Sequence, residues 1–264
     1  MATTVAGKRG GTRLAFRIVA GILGVGGVAF SVPFTFVSFV DDAEAIHRLH
    51  NVAFTALYGV LLGVALLACV WQPEANISSF FVAVASGLAG AIAGLASGDF
   101  ISGAWFAAPI SIVVLWLLHP SRRQLLRPSG FDAPTAVLSL LALAPAIAFL
   151  LTQSELQRTG VESDPHWEFH HYSGMAAAAL ALPLCGLAGS LRESGRRLGA
   201  WLVGLSGVLI GGGSLALSDY AGSFDALWAW LTVAWGVAVI GAAEAERRGA
   251  FGSGRTVDSS ERAG

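Results

Sequence analysis

Residues Asp164 to Gly174 read D-P-H-W-E-F-H-H-Y-S-G, which sets three histidines, His166, His170 and His171, directly ahead of an apolar run. An earlier stretch, Asp41 to Asn51, reads D-D-A-E-A-I-H-R-L-H-N and leads into another apolar run in the same way. Moving the chain by 120 residues lays His50 on His170. Without a gap, the same shift carries Ser86-Gly87 onto Ser206-Gly207 and Asp99-Phe100 onto Asp219-Tyr220. We read this as the duplication of one unit.

The unit belongs in a membrane. Hydrophobic residues make up 55% of the 264, charged residues only 12%, and the mean hydropathy is +0.67, more apolar than a soluble domain of this length carries. The lipid bilayer is thus the expected partner, with no nucleic acid, and the net charge of −1 carries meaning only through how Lys and Arg are distributed along the chain. Cys69 and Cys185 lie inside apolar runs at non-matching repeat positions, where a buried thiol packs as a small hydrophobe.

Eight apolar runs follow one another, near 14–40, 51–71, 79–97, 101–118, 133–152, 172–190, 198–217 and 226–243. Most approach the roughly 20 residues that take a helix across the hydrocarbon. None alternates as a barrel strand does, and a helix satisfies its own backbone inside lipid. The first run is longer than a signal-peptide core and no A-x-A site follows it, so it is expected to stay as a span. The expected fold is all-α, a polytopic membrane protein of eight transmembrane helices in two parallel four-helix repeats.

Charge sets the orientation. With both termini inside, the cytoplasmic side receives 14 of the 16 basic residues, and only Arg48 and Arg158 fall outside. That split follows the positive-inside rule, and an odd number of spans would scramble it. The expected organisation is a cytoplasmic N-terminal tail over 1–13, a first repeat over 14–120, a basic cytoplasmic linker over 121–132, a second repeat over 133–245 and a disordered cytoplasmic tail over 246–264. The location is the cell's inner (plasma) membrane. Four spans per half restore the same orientation, so His50 and His170 are expected at one depth. Gly87-Gly90-Gly94 and Gly204-Gly207-Gly211 let helices approach closely in spans three and seven.

Local chemistry accounts for part of each histidine stretch. Asp164 followed by Pro165 is a helix start, with the carboxylate taking orphan N–H groups. Asp41 with Glu44 has capping-box spacing. Pairs His47 and His50, three apart, and His166 and His170, four apart, are each expected to share a helix face.

Imidazole is the commonest metal ligand. The candidate cofactor-binding residues are His50 and His170, and the candidate metal ligands are His47, His50, His166, His170 and His171. Asp99, Asp219, Asp164 and Glu168 are candidates to orient them from behind. A b-type haem between His50 and His170, or a transition metal ion, are both open readings. Against them stands a structural reading, in which interfacial histidines anchor the chain at the headgroups and the aspartates cap helices. Eight-span haem A synthases have a comparable layout, but they carry histidines on two helices of each half. Spans four and eight here lack one, so no residue is carried over. Alternatives of other classes are a small-solute or proton-coupled transporter, a non-catalytic scaffold and a pH sensor.

Overall fold

The computed structural model describes residues 3–99 and 104–248, with side chains over 11–41, 45–99 and 110–248. Every apolar run forms helix among the described residues, which contain no strand. The helices are α1 (Thr3–Val40), α2 (Ala45–Trp71), α3 (Ile77–Ser97), α4 (Ala104–Leu118), α5 (Ala133–Thr159), α6 (His171–Ser190), α7 (Arg196–Ala216) and α8 (Ala226–Arg247). Seven of them are long and apolar enough to cross a bilayer. The chain is a polytopic helical membrane protein.

The exception is α4, whose 15 residues extend about 22 Å at 1.5 Å per residue. The residues joining it to α3, 100–103, lie outside the described residues, as does the expected tail beyond 248. Helix α1 begins at Thr3, inside the stretch expected as a tail.

Helix α6 is the hub. It packs against α2, α3, α5 and α7, and Met175, Ala176, Ala177, Ala178 and Ala181 along it are fully buried. Its run of alanines lets four neighbours approach one helix at once, which larger side chains would prevent. Around it, α1 lies on α2, and α7 lies on α8. The last pair meets backbone to backbone: a Cβ on Gly204 would lie 2.5 Å from the Gly236 carbonyl oxygen, and one on Gly236 the same distance from that of Gly204. This is what the glycine spacing of span seven predicts.

Helix α2 is irregular. A 3-10 turn, Asp42–His47, precedes an α segment, Arg48–Phe54, and Thr55–Val64 is π-helical. The Thr55 hydroxyl donates to the Ser31 carbonyl of α1 at 3.1 Å, a side-chain contact at the point where the ladder widens. Such widened stretches are costly and cluster where a helix must aim particular side chains. The capping box expected at Asp41 and Glu44 falls on a 3-10 turn, and the Glu44 side chain lies outside the described residues.

At the end of the bundle opposite the histidines, the loops between α2 and α3 and between α6 and α7 interlock. Ser78 N–H donates to the Ser194 carbonyl at 2.8 Å, and the Ser194 hydroxyl donates to the Glu74 carbonyl at 2.7 Å. Arg192 lies over the Phe81 ring at 3.9 Å and donates to the Leu125 carbonyl at 3.0 Å.

Candidate metal centre

The approach to α6 is a helix that stops after one turn. Asp164 Oδ1 accepts the His166 backbone N–H at 2.9 Å, and Pro165 occupies the first helical position of Pro165–Glu168, as the sequence predicts. His170 then adopts φ 57° and ψ 29°, the one positive φ at a non-glycine among the described residues. That conformation costs a side-chain-bearing residue about 1–2 kcal/mol. It also reverses the chain, so that His170 and His171 diverge.

His171, 8% exposed, opens α6 and turns toward α2. Its Nδ1 lies 3.1 Å from Nδ1 of His47. His50 stacks on it with ring centroids 4.7 Å apart. One nitrogen from each of His47, His50 and His171 lies within 4.8 Å of the other two. His50 is wholly buried, and neither of its ring nitrogens has a hydrogen-bond partner. An imidazole carries one donor and one acceptor, and leaving both buried and unmatched costs free energy.

His166 sits beside the three, its ring 4.8 Å from that of His50, but it is tied down. Its Nδ1 lies 3.0 Å from Asp164 Oδ1 and its Nε2 3.2 Å from the Ile46 carbonyl oxygen. Each nitrogen thus lies within hydrogen-bond distance of an oxygen outside the trio, and the ring braces the cluster. Asp164 also accepts the Tyr172 hydroxyl at 2.9 Å. Burial alone would raise the Asp164 carboxyl, but the His166 N–H, the Tyr172 hydroxyl and the His166 ring outweigh it and hold it below the ordinary carboxylate range.

Of the five candidate ligands, the structure gathers His47, His50, His166 and His171. The fifth, His170, lies elsewhere: its Nδ1 is 3.2 Å from Oδ2 of Asp99, whose side chain is wholly buried at the end of α3. Asp164 stands directly behind His166. Asp219 and Glu168 are exposed. The pairing of residues four apart, His166 with His170, does not hold because the helix ends between them.

Sequence reasoning passed over Gln153, on the last turns of α5. It is 4% exposed with Oε1 unpaired. Gly222, at φ 77°, brings the α7–α8 connection against it: a Cβ there would lie 3.3 Å from Gln153 Oε1 and 3.5 Å from His50 Nε2. A glutamine inside an otherwise apolar run was the available signal.

Nitrogens bound to one ion at about 2 Å each stand no more than about 4 Å apart. The 4.8 Å spread therefore has to close by about 1–1.5 Å for three nitrogens to reach one ion. In comparison with known proteins, the chain matches no family model, no curated protein and no solved structure.

Proposed function

We propose that the protein binds a single transition-metal ion through His47, His50 and His171, close to the outer surface of the plasma membrane, in a redox or accessory role. The observation that carries this reading is His50: a fully buried imidazole with two unmatched nitrogens, set against His47 of its own helix and His171 of another. Three nitrogen ligands suit zinc, copper or iron. His166, held by Asp164, would brace the ligands from behind.

A bare ion is favoured over haem. The rings of His47, His50 and His171 pack on one another at centroid distances of 4.6 and 4.7 Å, leaving no slot for a porphyrin between them. A solute path is disfavoured as well. Leu57 and Leu61 of α2, Ala177 and Ala181 of α6 and Ile210 of α7 are apolar and at most 2% exposed, where a transporter needs a polar cavity.

The duplication, with eight spans and both ends cytoplasmic, belongs to the same reading, and two kinds of contact support it. Residues exactly one repeat apart meet at both ends of the bundle: Ile46 with His166 and Glu74 with Ser194, each 120 positions apart. Equivalent positions touch only near a two-fold axis, here running between α2 and α6. Helix pairs also recur in equivalent form: α1 on α2 as α5 on α6, α3 on α4 as α7 on α8, and α3 on α6 as α7 on α2. The metal site would then lie on that axis, where the two halves meet.

The test is cobalt loading of protein purified in mild detergent and stripped with chelator. One equivalent of Co(II) is expected to give the visible absorption of a nitrogen-ligated ion, lost in His50→Ala and in His171→Ala. No cobalt spectrum in the wild type overturns the reading, and a stoichiometric Soret band replaces it with haem.

A further inference from the structure

Helix α5 carries two buried glutamines one turn apart near its end, Gln153 and Gln157. Gln157 is engaged at both amide atoms: Nε2 donates to the Trp167 carbonyl at 2.9 Å, and Oε1 accepts the Ser173 backbone N–H at 3.4 Å. That accounts for a polar side chain at this position. Gln153 has no such account. It is 4% exposed, and its Oε1, buried, accepts no hydrogen bond.

A buried oxygen left unmatched costs free energy, and here a second unmatched atom stands near it. A Cβ on Gly222 would lie 3.3 Å from Gln153 Oε1 and 3.5 Å from His50 Nε2, so both atoms converge on one point of the α7–α8 connection. Both carry lone pairs that a metal ion takes. The Gln153 amide turns about three side-chain torsions, and no hydrogen bond holds its oxygen back. An amide oxygen is a weak ligand for the ions that imidazole suits, of the kind found at the longer axial position of copper centres.

We propose that Gln153 Oε1 is the fourth ligand of the ion held by His47, His50 and His171. The inference rests on the three-histidine reading and deepens it. Three histidines alone leave the fourth position of a four-coordinate ion open to water or substrate, whereas a fourth protein ligand closes it. A closed ion serves electron transfer or holds the fold together, and it takes no substrate. Ligands would then come from three spans, α2, α5 and α6, joined at one point.

The experiment is Co(II) titration of the full-length protein in detergent, followed by azide. The wild-type cobalt spectrum is expected to stay unchanged in azide, because no position is open. Gln153→Ala should hold cobalt at least about 10-fold more weakly, and its spectrum should shift on adding azide. Gln153→Glu keeps an oxygen at a similar reach and should restore both the affinity and the indifference to azide. A glutamine that only packs would change the melting temperature of the chelated protein and leave the cobalt spectrum of Gln153→Ala as in the wild type, which would overturn the proposal. An azide shift in the wild type would overturn it too, even where no variant folds. Absence of cobalt uptake by the wild type would overturn the three-histidine reading and the fourth ligand with it, whereas the first two results leave the three histidines standing.

Discussion

His47 and His171 place their Nδ1 atoms 3.1 Å apart although 124 residues separate them in the chain. Two imidazole nitrogens at that distance share one proton, so one ring donates and the other accepts. This fixes the tautomer of both and aims them at each other across the junction of α2 and α6. A metal ion entering between them would displace the shared proton and take both lone pairs.

His50 decides between a ligand and a core histidine. Its nitrogens are buried without partners, so in chelator-treated protein His50→Leu is expected to stabilise the fold by about 1–2 kcal/mol, the cost of unmatched polar groups. The same variant should lose the rise in melting temperature that zinc confers on the wild type. Thermal unfolding with and without zinc measures both. Destabilisation of the chelated protein by His50→Leu would show that the ring is held by something other than a metal.

Asp164 sets a pH dependence. Its folded carboxyl lies below the usual range, so its contribution to stability is fully present above the unfolded value of about 4 and is lost as pH falls through the folded value. Asp164→Asn keeps a capping oxygen and is expected to cost about 1–2 kcal/mol at pH 7 through loss of the charged hydrogen bonds. Unfolding in denaturant at pH 7 and at pH 3 should show the gap between variant and wild type narrowing at the lower pH.

Gly174 is a packing constraint beneath the cluster. A Cβ at this position would lie 2.0 Å from Cε1 of Phe54, whose ring in turn lies 5.6 Å from that of His171. Gly174→Ala is expected to cost about 1–3 kcal/mol by overpacking, and Phe54→Leu in the same chain should recover most of it. A double-mutant cycle reads the coupling, and additive effects would refute the contact.

The left-handed backbone of His170 predicts an ordering among substitutions. Alanine and glycine both lose the ring beside Asp99, but only glycine adopts φ 57° without strain. His170→Gly should therefore be more stable than His170→Ala by about 1 kcal/mol, measured by the same denaturation. The reverse order would mean that the turn rearranges.

Much of this was legible in the chain. The helices follow from apolar runs in a sequence with few charges, and the Asp164-Pro165 start forms as the cap that its residues dictate. The histidine stretches were visible because histidine is rare here. Which histidines meet was not. The sequence pairs His50 with His170 by repeat register, while the structure sets His50 on His171, because a single positive φ at His170 turns that side chain to Asp99. Sequence carries no reliable mark of a left-handed non-glycine residue. The π-helical stretch of α2 and the approach of Gly222 to His50 depend likewise on tertiary packing.

Zinc stoichiometry tests the central claim most directly. Protein purified in mild detergent, stripped with chelator and dialysed against zinc should retain one ion per chain by elemental analysis. The His47→Ala/His50→Ala/His171→Ala variant, folded by circular dichroism, should retain none. A wild-type protein that holds no zinc, or a triple variant that still holds one equivalent, would contradict the account.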